Sequence, residues 1–167
     1  MTTVSDIMTR GVRVLSPSDS VVRAAQAMDE LNVGVIPVCD GEKLVGMVTD
    51  RDITLRGVAQ GLDCEDTPLS DIMSKEVQWC FEDQAVSEVM AQMGDAQIRR
   101  LPVVDREKRL VGILSLGDIA VKTDDKKVAS VLQDISEPAT PDRSGSSAAS
   151  GAAGGGSTPS APSRGPA

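Results

Sequence analysis

At 167 residues the chain is long enough for one ordinary domain and a margin beyond it. Its formal charge of −8, from 17 Lys and Arg against 25 Asp and Glu, is not that of a nucleic-acid binder, and no apolar run approaches the roughly 20 residues that span a bilayer. Histidine is absent and the three cysteines are scattered, which excludes Cys–His and Ser–His nucleophilic catalysis, a disulfide framework and a cysteine-based metal cluster.

The chain opens on a short polar–apolar segment, Ser5-Asp6-Ile7-Met8, without the basic-then-apolar pattern of a signal peptide, so a cytoplasmic location is expected. A brief strand is predicted over 11–15, ended by Ser16-Pro17. Val21, Ala24, Ala25, Met28 and Leu31 then recur at helical spacing behind Ser18-Asp19-Ser20, a cluster of N-cap oxygens. Val33 to Val38 is an apolar, β-rich run, and Asp40-Gly41 turns it into an antiparallel partner over 44–48. A second helix is expected from Asp50 toward Gln60, with Gly61 as its stop.

The order then repeats. Ser70-Asp71-Ile72-Met73 restates the opening, Val77 to Cys80 the first strand, and Val86, Val89, Met90 and Met93 the helical stripe. Ile98 to Val104 and Leu110 to Leu114 form the second hairpin, a helix follows from Leu116, and a last one is predicted over 126–135. From Ser5 to Ser70 and from Ile36 to Leu101 the offset is 65 positions; from Leu44 to Leu110 it is 66, so the second hairpin's turn holds one extra residue. A unit of about 60 residues buries too little surface to stand alone, so the copies are expected to pack together about a pseudo-twofold axis. The predicted fold class is α+β, with two β-α-β-β-α units over 1–64 and 65–137. A flexible Ser/Gly/Ala/Pro tail is expected over 138–167, where there is little side chain to bury.

Two local features stand out. Pro37 and Pro102 sit inside apparent strands, where proline cannot donate to a ladder, so free backbone groups are expected there. Gly46-Met47-Val48-Thr49-Asp50-Arg51-Asp52 and Gly112-Ile113-Leu114-Ser115-Leu116-Gly117-Asp118 each end a strand and open a helix. A hydroxyl followed three residues later by a carboxylate is a capping-box helix start. The same geometry offers hydroxyl and helix-start amides to a phosphate and a carboxylate to a pair of ribose hydroxyls.

Both Asp-Ile-Met openings, both apolar-Pro-Val turns, both Gly-x-x-Thr/Ser-x-x-Asp endings and the final helix, taken in order over about Thr3 to Glu137, resemble the tandem CBS-domain pair, or Bateman module. That resemblance implies a non-enzymatic regulatory module that binds AMP, ADP or ATP in composite clefts between the copies. It implies a cleft one of Met47, Thr49 and Asp52 from one copy with Val77, Gln78, Arg100 and Pro102 from the other. It implies a weaker cleft two of Ile113, Ser115 and Asp118 with Val12, Arg13, Val35 and Pro37. Asp52 and Asp118 would hold ribose hydroxyls, Thr49 and Ser115 ribose or phosphate oxygens, and Arg100 phosphate, whereas its counterpart Val35 supplies no charge. Arg51 and Arg56, beside cleft one, read as a solvated helix face or as further phosphate cations. No metal, no required cofactor, no nucleic acid and no membrane are expected; a homodimer and a protein partner are. Two rival readings are an interaction scaffold with vestigial clefts and a thiol-redox responder. For the latter, Cys39 and Cys80 read as buried inert thiols and Cys64 as exposed. Trp79 and Phe81 are the only aromatics; Trp79 reads as core packing, with stacking on a base as the alternative.

Overall fold

The computed structural model describes residues 1–123 and 127–136, so the expected tail over 138–167 lies outside the described residues. Copy one contributes helix α2 (Val21–Leu31) and the antiparallel hairpin β1 (Val35–Asp40) and β2 (Lys43–Thr49), preceded by the short turn of helix α1 (Val4–Ile7). Copy two contributes β3 (Cys80–Phe81), α4 (Val86–Ala96), β4 (Arg100–Val104), β5 (Leu110–Ser115) and α5 (Leu116–Lys122), followed by α6 (Lys127–Ser136). Between them, α3 (Asp50–Asp52) follows β2 directly, and a 3-10 turn (Leu69–Asp71) opens the second copy.

The apolar spacing produces the helices as expected, with one change of face. Ser20 caps α2 by accepting the Arg23 amide at 3.2 Å. The side chains α2 buries are Val21, Ala24, Ala27 and Met28, so Ala27 takes the place predicted for Ala25, which is exposed, and Leu31 stays 43% exposed. In α4 the four predicted residues Val86, Val89, Met90 and Met93 are all buried. Both helices end in a left-handed residue, Asn32 (φ 51°) and Gln97 (φ 54°). The next amides, Val33 and Ile98, return to the Met28 and Met93 carbonyls at 3.0 Å, which satisfies carbonyls the helix ends leave open. The predicted helix over 50–60 exists but is irregular: one α turn, then a π turn over Ile53–Gly57 and a 3-10 turn over Val58–Gln60, stopped by Gly61 at φ 69°. Its counterpart α5 is regular.

The first strand of each copy is shorter than predicted. In copy one it shrinks to a single parallel bridge, Leu15 to Val38. In copy two it is β3, paired in parallel with β4 from Cys80 to Val103. Both prolines are consequently harmless: Pro37 and Pro102 sit one residue ahead of the point where the third strand joins, so no ladder needs their missing amide. The carbonyl of Pro37 is not free as predicted, because it accepts the Leu15 amide at 3.1 Å.

The two opening segments are exchanged. Val4, Ile7 and Met8 pack into a core built otherwise from copy two, including Met93, Leu101, Leu114 and Ile119. Leu69, Ile72 and Met73 pack in turn with copy one's Val21, Ala24, Ile36 and Val48. A third cluster joins the copies: Cys39, Leu44 and Val104 are buried, with Val77, Trp79, Phe81 and Leu110 against them. Glycine makes the exchange possible. A Cβ on Gly46 would stand 2.6 Å from the Ser74 carbonyl, and one on Gly112 2.7 Å from the Thr9 carbonyl. The neighbouring pairs Met47–Ser74 and Ile113–Thr9 form antiparallel bridges, with both hydrogen bonds present in each at 2.9–3.0 Å. The repeated glycine is therefore the place where one copy's backbone lies on the other's strand.

Candidate functional site

Each hairpin's second strand delivers a hydroxyl and a carboxylate to the start of the following helix. Thr49 Oγ1 accepts the Asp52 amide at 3.0 Å, and Asp52 Oδ2 accepts the Thr49 amide at 3.0 Å. Ser115 and Asp118 repeat both bonds at 3.0 Å. Both capping boxes predicted from the spacing therefore form. The carboxylates they fix differ in surroundings. Asp52 is only 8% exposed, the one buried charged side chain among the described residues. The Ser74 hydroxyl donates to its two oxygens at 3.4 and 3.3 Å, and the Arg56 guanidinium lies 3.8 Å away. Asp118 is half-buried, with the Ser115 hydroxyl on Oδ2 at 2.7 Å and the Thr9 hydroxyl 3.4 Å from Oδ1.

Asp118 opens onto a cavity of about 230 Å³ between the copies. Val12, Arg13, Val33 and Val35 come to it from copy one, and Ile113, Ser115, Asp118 and Arg100 from copy two. Six of the seven residues predicted for cleft two thus share one cavity. The seventh, Pro37, is buried in β1 opposite Met47 and does not line it.

Arg100 is a correction. It was expected in cleft one, opposite Thr49 and Asp52, but it lines the Asp118 cavity. The cause is the hairpin register: Arg100 pairs with Ser115 across β4 and β5, as Val35 pairs with Thr49 across β1 and β2. The register sets an arginine at the start of a hairpin's first strand opposite the hydroxyl-bearing residue of its own copy. Arg99 and Arg100 are both exposed, and Arg100 makes no ion pair among the described residues. Arg13 reaches Glu30 at 3.6 Å.

The other residues predicted for cleft one are spread out. Met47 is buried beside Ser74, and Pro102 is buried opposite Ile113. Val77 packs into the inter-copy cluster, and Val77 and Gln78 border a separate depression with Glu76, Trp79 and Gln92. Gln78 accepts from the Gln92 amide nitrogen at 3.1 Å. Arg51 is exposed. Arg56 is exposed as well, its side chain 57% so, yet it donates to the Ile72 and Met73 carbonyls, each at 3.4 Å, a role no local signal in the sequence marked.

Burial removes two thiols from the redox reading: it raises the pKa of Cys39 and pushes that of Cys80 up to about 12. Cys64, expected to be exposed, is half-buried against copy one's core. Trp79 and Phe81 meet edge-on at 4.9 Å and pack, partly buried, against the inter-copy cluster, the packing use expected for Trp79.

Fold and site together define a paired-repeat module, and comparison with known proteins gives the family: the CBS domain model matches twice, over 4–57 and 69–122, so the chain belongs to the CBS-domain family. It is 43% identical over 137 residues to the CBS domain-containing protein YhcV of Bacillus subtilis, covering 81% of this chain and 96% of that one. It is 38% identical over 121 residues to hypoxic response protein 1 of Mycobacterium tuberculosis, covering 72% and 84%. A crystal structure of Hypoxic Response Protein I with two coordinated zinc ions superposes with a TM-score of 0.67 at 36% identity, covering 74% of this chain and all of that one. The zinc is that protein's; among the described residues here, no three His, Cys, Asp or Glu come together to hold a metal. The CBS domain pair of protein MJ0100, solved with 5′-methylthioadenosine and S-adenosyl-L-methionine, gives 0.63 at 31% identity, covering 73% and 95%. CBSX2 in complex with AMP gives 0.63 at 28%, covering 73% and 96%.

Proposed function

We propose that this chain is a non-enzymatic sensor that takes an adenine-containing ligand of the AMP, ADP or ATP type in the cleft at Asp118 and signals its presence to a protein partner. The observation that carries this reading is the make-up of one cavity. Val12, Val33, Val35 and Ile113 supply apolar walls for a purine, Asp118 a carboxylate for ribose hydroxyls, and Arg100 an uncommitted planar cation for phosphate. At about 230 Å³ the cavity is below the roughly 300–1,000 Å³ of common ligand sites, so base and ribose would fill it with phosphates in the mouth. Adenine ligands in two related structures support the class of molecule.

The exchanged opening segment supplies a route for the signal. Thr9 touches Asp118, follows helix α1 in copy two's core and precedes Val12 on the cavity wall. A ligand that binds Asp118 better in one placement of this segment than in another shifts the balance between the copies. The module would act as a homodimer in the cytoplasm, with neither nucleic acid nor membrane as its partner.

Calorimetric titration with adenosine, AMP, ADP and ATP tests the reading. Phosphorylated adenosine should bind more tightly than adenosine. Asp118→Ala should weaken AMP by the roughly 1.5–3 kcal/mol of a charge-assisted hydrogen bond, and Arg100→Ala should bring AMP down toward adenosine. No binding of any adenine compound at millimolar concentration would defeat it and leave the interaction scaffold, which the closed surroundings of Asp52 favour.

A further inference from the structure

We propose that Arg56 is a built-in occupant of cleft one, so that the chain takes one adenine ligand, at Asp118, where its two copies would otherwise take two. The proposal rests on the adenine reading above and concerns the site that reading leaves empty.

The two copies carry different cations at equivalent positions, Arg56 and Lys122, each four residues beyond the capping carboxylate. Both cations hold the exchanged opening segment. Lys122 Nζ donates to the Ile7 carbonyl at 2.8 Å, and Arg56 Nη1 donates to the Ile72 and Met73 carbonyls at 3.4 Å each. Lysine ends in a compact point charge, and Lys122 spends it on that carbonyl without an ion pair to Asp118 among the described residues. Arginine is a planar fork with donors on several edges. While Nη1 faces the carbonyls, Arg56 Nε lies 3.8 Å from Asp52 Oδ1.

This second contact, from a side chain that is itself 57% exposed, and the Ser74 hydroxyl set protein donors against both oxygens of Asp52. Asp52 Oδ2 takes the Thr49 amide at 3.0 Å, and the Ser74 hydroxyl lies 3.3–3.4 Å from both oxygens. On Asp118 the Ser115 hydroxyl donates to Oδ2 at 2.7 Å and the counterpart hydroxyl, Thr9, lies 3.4 Å from Oδ1, but no cation pairs with it among the described residues. Asp52 is buried, whereas Asp118 faces its cavity. The side of Asp52 from which ribose hydroxyls would donate is faced by a guanidinium at ion-pair distance and by a hydroxyl of the protein itself. A ligand entering cleft one must displace both.

Exchanging the two cations tests this, with AMP as probe and calorimetric stoichiometry as readout. Arg56→Lys keeps a carbonyl donor of the kind Lys122 provides and releases Asp52, so binding should rise from one AMP per chain to two at unchanged melting temperature. Lys122→Arg should close the Asp118 cleft and weaken AMP there by about tenfold or more, the order of one charge-assisted contact. Two sites in the wild type, or wild-type binding in either variant, overturns the proposal. A wild type that binds no AMP while Arg56→Lys binds one per chain removes the Asp118 reading and keeps the occluding arginine. Absence of binding in both removes the two together.

Discussion

Gly112 is where the interlocking of the copies can be broken by one methyl group. A Cβ there would lie 2.7 Å from the Thr9 carbonyl oxygen, 2.8 Å from Met8 Sδ and 3.2 Å from Met8 Cγ. The sulfur can swing away, but the carbonyl is backbone. To reach ordinary contact the opening segment must retreat by about 0.8 Å, against van der Waals separations near 3.5 Å. Overfilling of this kind costs roughly 1–3 kcal/mol. The retreat also strains the two Thr9–Ile113 hydrogen bonds, now 2.9 and 3.0 Å, each worth roughly 0.5–1.5 kcal/mol. Gly112→Ala should thus destabilise by about 2–4 kcal/mol, a fall in melting temperature of roughly 6–15 °C for a folded unit of this size. Thermal unfolding followed by circular dichroism reads this directly. Gly46→Ala should behave alike, because its Cβ would meet the Ser74 carbonyl at 2.6 Å. A Gly112→Ala protein that melts within a degree or two of wild type would refute the close-approach argument and with it the account of the repeated glycine.

Gly94→Ala should do the reverse. Its Cβ would meet Val131 and Asp134 atoms at 3.7–3.9 Å, ordinary contact, and alanine gains up to about 1 kcal/mol over glycine within a helix, so the melting temperature should rise. A thiol reagent at pH 8 should label Cys64 first and leave Cys39 and Cys80 unmodified until denaturant is added. With its pKa near 12, Cys80 is thiolate in only about one molecule in ten thousand at that pH. Because the folded state raises that pKa above the ordinary 9.0, Cys80 contributes stability fully below pH 9 that is lost as pH climbs toward 12, so denaturant midpoints should fall across that window. Arg106→Ala removes a bidentate pair with Asp83 at 2.8–3.0 Å and a stack over Phe81 at 4.2 Å. Both partners of the pair are more than half exposed, so the loss should stay within about 1 kcal/mol by chemical denaturation.

The repeat, the helical stripes and the hairpins were legible because each is a local pattern. Val86, Val89, Met90 and Met93 lie on one face whatever surrounds them. The hydroxyl and carboxylate pairs were legible for the same reason, since three residues of chain separate Ser115 from Asp118 and a helix start fixes their geometry. Which copy each opening segment serves was not legible. Ser5-Asp6-Ile7-Met8 and Ser70-Asp71-Ile72-Met73 are alike, and both packings bury the same isoleucine and methionine. The placement shows only in the company each keeps, Leu114 in the cluster that holds Ile7 and Val48 in the cluster that holds Ile72.

The misplacement of Arg100 has a different origin, and a signal was present that could have corrected it. Antiparallel pairing ties the first residue of a hairpin to its last, so a turn centred near Arg106 to Arg109 already sets Arg100 opposite Ser115. Cation and carboxylate in one copy therefore belong to one cleft, and in copy one that position holds Val35. The asymmetry between the clefts then runs the other way. The copy with the outward arginine keeps Asp118 half-buried and facing a cavity. The copy without it carries Arg56 four residues after Asp52, where a helical turn brings the side chain back over the carboxylate. The repeat gives two equivalent capping carboxylates: in the copy with a cation at its hairpin start the carboxylate faces a cavity, and in the other a cation one helical turn on lies 3.8 Å from it.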